Sequence, residues 1–338
     1  MTSARTVPAR LARTALIALS ALLAALTLLA VAARAQESTP ALVAVVSQKA
    51  AMVTLIDVEA MRAVAEIPVR AVPAGIAAAP DGRTLYLTHP DLSLISRVDV
   101  ASRQITATFK VGLEPFGIAV IEGGSSLLVS DWSADALIRL DAGSGVETGR
   151  VAVGRSPAGL VVDEAAGRAY VADRESNQIS VVDIAATRRL ASVSTGRAPF
   201  ALALSPDGGQ LYVANVQSGD LSVIETADPP REERRLKVGL MPYGVAVTPD
   251  GREILVSNQQ SGKLAIVDAR TLTIAPQKPS LGSFPEGIVV LSPTKAAAVD
   301  WAGDKVVVID IPNRAIIGAI NVAAGPRNLV ILGGRTAP

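Results

Sequence analysis

From residue 41 to residue 332 the chain is a succession of short apolar runs divided by turn-forming residues. LSPDGGQLYVAN, residues 204–215, shows the unit. Leu204 ends one apolar run, Pro206-Asp207-Gly208-Gly209 reverses the chain, and Leu211 to Ala214 resumes extended structure. The same hairpin returns in AAPDGRTLYLTH, ending at His89, and in VTPDGREILVSN, ending at Asn258.

Three markers keep one period. A loop of the form G-x-x-P-x-G precedes an apolar run in GLEPFG, GRSPAG, GLMPYG and GSFPEG, and its prolines are Pro73, Pro115, Pro157, Pro199, Pro242, Pro285 and Pro326. Their spacings are 42, 42, 42, 43, 43 and 41 residues. A second marker ends the next run at Ser47, His89, Asp131, Asp173, Asn215, Asn258 and Asp300. A third closes another at Asp57, Asp99, Asp141, Asp183, Glu225, Asp268 and Asp310. Between markers each unit holds four short strands, A to D, rich in β-branched residues. Four strands in this period predict an all-β fold, a seven-bladed β-propeller of four-stranded antiparallel blades. Helical repeats of similar length lack such frequent turns and β-branched runs.

The ends complement each other. Residues 41–69 supply strands B, C and D without a strand A, and PRNLVILGG, from Pro326, supplies the missing one. The C-terminal strand A is therefore expected to join the N-terminal strands B–D and close the ring. Residues 36–338 read as one domain, with blades starting near 73, 115, 157, 199, 242, 285 and 326. The irregular places are Asp228-Pro229-Pro230 with REERR behind it, read as a charged C–D loop, and Pro276 with Pro279, read as part of an edge strand D.

Residues 1–35 have a different character. Arg5, Arg10 and Arg13 precede an apolar run from Thr14 to Ala33, and Ala33-Arg34-Ala35 supplies a small-x-small site. This pattern predicts a cleaved Sec-type signal peptide and a periplasmic domain; the alternative is an uncleaved membrane anchor. Membrane contact is otherwise not expected. Removing the leader's four arginines from 32 basic residues leaves 28 against 31 acidic ones, a net charge of −3. Such a domain has no general attraction for nucleic acid.

LYVAN at 211–215 and LYLTH at 85–89, with the P-x-G-I-A and S-P-D-G elements around them, resemble the YVTN-repeat family of bacterial β-propellers over nearly the whole mature chain. The resemblance implies a periplasmic or surface-exposed propeller, similar in scaffold to quinoprotein amine dehydrogenase propeller chains and the haem-binding propeller of nitrite reductases. The motif is structural, so it implies a fold more than an activity. The chain departs from the consensus Asn at Ser47, His89, Asp131, Asp173 and Asp300.

Composition removes several chemistries. There is no Cys, which excludes disulfides, thiolate zinc sites and thiol nucleophiles, and a single His excludes H-E-x-x-H. No G-x-S-x-G elbow occurs, and Gly262-Lys263 lacks the rest of a phosphate loop. Of only ten aromatic residues, six fall in the D–A and B–C loops, which share one rim. Phe116, Phe200 and Tyr243 follow loop prolines and Phe284 precedes one. Trp132 and Trp301 follow markers in blades 2 and 6 and are expected to face each other across the channel mouth. Arg155, Arg174, Arg197 and Arg327 join them, with Glu114 and Glu286. Aromatic and Arg side chains gathered on one rim suit a binding surface, although loop aromatics also pack over neighbouring blades.

His89, Asp131 and Asp173 are weak metal candidates. Equivalent positions in adjacent blades lie about 10 Å apart, too far for short carboxylates to share one ion except between neighbours. Capping of turns is the better reading of these markers, and also of the third marker on the opposite rim. The favoured function is a non-catalytic, monomeric periplasmic propeller, without a cofactor, holding a protein partner or a small aromatic or anionic ligand. The alternatives are a propeller hydrolase of the lactonase type, needing Asp131, Asp173 or Glu286 clustered with His89, and an accessory chain of a periplasmic quinone-cofactor dehydrogenase.

Overall fold

A computed structural model describes residues 42–185 and 187–333. The expected signal peptide lies outside the described residues. Among the described residues, no helix is long and apolar enough to cross a membrane.

The chain forms seven four-stranded antiparallel sheets, one per repeat. Blade 2 is representative, with strand A at Pro115–Ile121, B at Ser126–Asp131, C at Ala136–Asp141 and D at Glu147–Ala152. Blades 1, 3, 4, 5 and 6 repeat the order along the sequence. Blade 7 combines the two ends: Pro326–Leu332 is its strand A, and Leu42–Ser47, Met52–Asp57 and Arg62–Pro68 are its strands B, C and D. The closing register sets Leu329 opposite Val45 and Val330 opposite Ala44. Ring closure is as the sequence predicts.

Burial follows the sequence pattern. Strands B and C are almost continuously buried because both faces are covered by neighbouring blades, as in Leu42–Ser47 and Met52–Asp57. Strand D is the outer edge and alternates, as in Gln104–Lys110 with Phe109 inward and Lys110 outward. The core is divided among the seams between blades. Tyr86, Ile95 and Phe109 of blade 1 pack with Leu127, Val129 and Ile138 of blade 2. Val43 and Val45 of blade 7 pack with Val299 and Val306 of blade 6, and Val46 and Leu55 pack with Leu85 and Leu87 of blade 1. Each seam removes two apolar sheet faces from water, which no single blade could do alone.

Two local readings change. REERR belongs to strand D of blade 4, Arg231–Lys237, rather than to a C–D loop. Its ion pairs, including Arg235 with Glu232 at 2.7 Å, let an exposed edge strand carry so many charges. In blade 5 the prolines shorten strand D to Thr273–Ile274. Neither Pro276 nor Pro279 has an N–H to give the ladder, which resumes only at the bridge between Lys263 and Ser280.

Candidate functional site

The residue after the loop proline is the first to reach the axis. In blade 2, Pro115 pairs with Asp131 and Ile118 with Val129, so one extra residue is inserted between them. This β-bulge recurs in the A–B pairing of blades 3 to 7. It turns Phe116 out of the sheet and toward the channel. The equivalent positions are Ala74, Phe116, Ala158, Phe200, Tyr243, Glu286 and Arg327, one from each blade.

Four of them make a closed circuit over the channel. Tyr243 and Phe200 have ring centroids 4.4 Å apart, and Phe200 meets Phe116 edge-on at 5.6 Å. The Arg327 guanidinium lies 5.4 Å from the Phe116 ring and donates to Tyr243 Oη at 2.9 Å. Phe116 reaches both partners because the intervening blades carry alanine, Ala74 toward Arg327 and Ala158 toward Phe200. All four circuit residues remain partly exposed. Beneath them a cavity of about 250 Å³ runs between apolar strands A, lined by Ile76, Ile118, Leu160, Leu202, Val245 and Ile288 among others.

Glu286 completes the polar side. It is only 5% exposed. Its Oε1 accepts from Gln259 Nε2 at 2.9 Å, while Oε2 has no hydrogen-bond partner and lies 3.8 Å from Arg327 Nε. Burial pushes its carboxyl up to about 7, against the opposing pull of Arg327 and the Gln259 hydrogen bond. Burial also raises the Tyr243 phenol, which therefore stays protonated. Arg327 additionally donates to Gln48 Oε1 at 3.1 Å.

The tryptophans belong to separate groups on the rim. Trp132 packs at a 49° tilt against Phe116, with ring centroids 5.3 Å apart, and the Arg174 guanidinium lies 5.7 Å from its ring. Trp301 packs against the exposed Phe284 at 6.0 Å and carries the Lys49 ammonium 3.6 Å from its ring. Arg155 donates to the Glu175 carbonyl at 2.9 Å, and Arg174 pairs with the Glu175 carboxylate. Arg197 is exposed, its backbone tied to the 217–218 turn. A second groove of about 830 Å³ opens nearby, with Arg174, Lys237 and Lys278 along it and Leu240 and Met241 as apolar lining.

The strand-end markers hold loops. Asp131 accepts the N–H groups of Leu113 at 2.7 Å, Glu114 at 3.0 Å and Ala134 at 3.1 Å, and Asp300 accepts those of Ser283 and Phe284. Asp173 accepts from Ser180 Oγ at 2.6 Å and from Gln178, with burial raising its carboxyl. His89 is buried, with Nδ1 3.0 Å from the Ala71 carbonyl and its pKa lowered by burial. Among the described residues no group of three or more His, Asp or Glu is placed to hold a metal. On the opposite rim the third marker caps turns as expected, for example Asp99 accepting from Ser102 N at 2.6 Å.

Sequence reasoning placed Phe116, Phe200, Tyr243, Glu286 and Arg327 on one rim without joining them into one ring. The signal was available in the residue following each proline. Gln48, Lys49 and Gln259 were missed, although Gln48 and Gln259 directly follow the markers Ser47 and Asn258, the position that carries Trp132 and Trp301 in blades 2 and 6.

No curated protein matches the chain in sequence. Similar solved structures include a chain of hydrazine synthase from Kuenenia stuttgartiensis, at 20% identity over 78% of this chain and 90% of that one, with a TM-score of 0.69. Another is a functionally unknown protein from Desulfotomaculum acetoxidans DSM 771, at 12% identity, covering 86% of this chain and 98% of that one, with a TM-score of 0.75. Likeness at such identities concerns the fold alone. A family model for YNCE-like β-propellers matches residues 133–336, which takes in most of the ring from blade 2 to the closing strand. With seven blades, the recurring loop and this match in sequence, the chain belongs to the YNCE-like β-propeller family.

Proposed function

We propose that this propeller is a periplasmic binding module, delivered by a cleaved leader, whose recognition surface is the channel mouth on the rim of D–A and B–C loops. One observation supports it above the others: Phe116, Phe200, Tyr243 and Arg327, from four blades, meet over the axis while remaining partly exposed. Aromatic and Arg side chains contribute heavily to binding surfaces. The mouth is two-sided, with phenyl rings from blades 2 and 4 and polar groups from blades 5 to 7. Trp132 extends the apolar side and Lys49 on Trp301 extends the cationic rim.

The test is capture from periplasmic extract by the mature chain, with native mass spectrometry for a retained small molecule. Capture that the variant carrying Phe116→Ala and Phe200→Ala loses, while keeping a cooperative melt, supports the mouth. Capture unchanged in that variant moves the binding surface elsewhere.

A further inference from the structure

We propose that the channel mouth takes a small organic monocarboxylate with a flat apolar body, and that Glu286 takes up one proton from solvent as it binds. The inference rests on the mouth being the binding surface and names the chemistry it recognises.

The charge on Arg327 is the first argument. Its two hydrogen-bond partners, Gln48 Oε1 and Tyr243 Oη, are both neutral. Its acidic neighbour, Glu286, stands 3.8 Å away, beyond a hydrogen bond. A guanidinium offers five N–H donors in a planar fork suited to a carboxylate. Arg327 therefore keeps free donors, and a charge only partly offset by Glu286, for an incoming anion. One arginine beside an acid suits a monoanion better than a phosphate dianion.

Glu286 is the second argument. Its Oε2 is buried and lacks a partner, a costly state for an ionised carboxylate. The groups facing it are Arg327 from blade 7, Gln259 from the B–C turn of blade 5 and Tyr243 from strand A of blade 5; Arg174 acts on Tyr243 from farther out. Arg327 supplies the attraction that keeps Glu286 ionised in part. A bound carboxylate would neutralise Arg327 and repel Glu286. Protonated, Glu286 becomes a neutral O–H donor that can bond the ligand carboxylate. No covalent bond forms or breaks in the ligand; the proton moves from solvent to Oε2.

The apolar body of the ligand is the third argument. Beside Arg327 lies the Phe116 ring, with Phe200 next to it, and below lies the cavity of about 250 Å³ with aliphatic walls. That volume suits a single ring rather than a long chain.

Benzoate is the probe, titrated calorimetrically into the mature chain at about pH 6 and about pH 8. The expected result is saturable binding that is about tenfold tighter at the lower pH. Buffers of different ionisation heat are expected to report uptake of close to one proton per site at the higher pH. Glu286→Gln is expected to bind equally at both pH values, and Arg327→Ala to lose binding. Saturable binding with no pH dependence and no buffer dependence overturns the proton step while leaving the mouth in place. Benzoate binding retained by Arg327→Ala overturns the anion site. If benzoate fails to bind at either pH, the ligand class is wrong, and capture from extract by the wild type but not the phenylalanine variant shows that the mouth reading survives alone.

Discussion

Gly112 lies directly against the carboxylate of Asp131. A Cβ at position 112 would overlap Asp131 Oδ2, the oxygen that accepts the Leu113 N–H at 2.7 Å, and the glycine φ is +54°. The loop glycine and the strand-end marker, which recur separately in the sequence, are two halves of one contact. Gly154 stands in the same relation to Asp173, with a Cβ 2.5 Å from Oδ2. The two blades without that glycine carry Arg70 with His89 and Ala323 with Ser47 as their pairs.

Gly112→Ala is therefore expected to destabilise the protein by about 2 to 4 kcal/mol, combining left-handed backbone strain with loss of buried hydrogen bonds. Pairing it with Asp131→Ser, after the Ala323 and Ser47 pair, is expected to cost less than the two single changes added together. Urea denaturation of the double-mutant cycle measures this coupling.

Ser257 joins blades 5 and 6. Its Oγ accepts the Gly244 N–H at 2.9 Å and donates to the Glu286 carbonyl at 2.5 Å. Ser257→Ala leaves both backbone groups buried without a partner, and a loss of about 1 to 3 kcal/mol is expected. The equivalent Ser130 and Thr88 bridge their own seams in the same way, to the Ala158 and Phe116 carbonyls. Alanine there should give losses of similar size by the same assay.

Stability should fall as pH rises through the range in which Glu286 titrates. Its carboxyl moves from an ordinary 4.5 to about 7 in the folded protein. Between those values the native state holds more protons than the unfolded chain, so rising pH favours unfolding. The contribution levels off above about pH 7. Glu286→Gln removes it and is expected to gain up to about 3 kcal/mol over the wild type at about pH 8, and little at about pH 4. Thermal melts of both proteins across this range give the comparison.

Replacing both Trp132 and Trp301 by alanine is expected to weaken capture from extract while lowering the melting temperature by only a few degrees. Each indole is partly exposed and leans on one neighbouring ring, a contact of about 1 kcal/mol. A large melting shift with capture intact would make them packing residues.

Deleting residues 326–338 is expected to abolish cooperative unfolding. It removes the partner of Leu42–Ser47, whose buried residues would become the exposed inner edge of blade 7. Far-ultraviolet dichroism against urea reads this directly.

The ring, its blade number and its closing strand were legible because the prolines keep their period and the two ends are complementary. The rim was legible for the same reason. What the repeat could not show is contact across the axis, which depends on residues that do not conform to it. Phe116 touches both Phe200 and Arg327 because Ala158 and Ala74 are small, and a repeat-based reading passes over alanines. The altered acidity of Glu286 arises from three elements converging on it, and local sequence carries none of that information. REERR was misread because a run of charges resembles a loop when its ion-paired neighbours along an edge strand are not yet known.

The seventh wedge has a consequence for biogenesis. Leu42–Ser47 is among the first segments of the propeller to be synthesised, and Pro326–Leu332 is among the last. The earliest-made strand must therefore wait, half-satisfied, until almost the entire polypeptide has been delivered. Under the proposed export, that delay ties assembly of the toroid to the end of translocation.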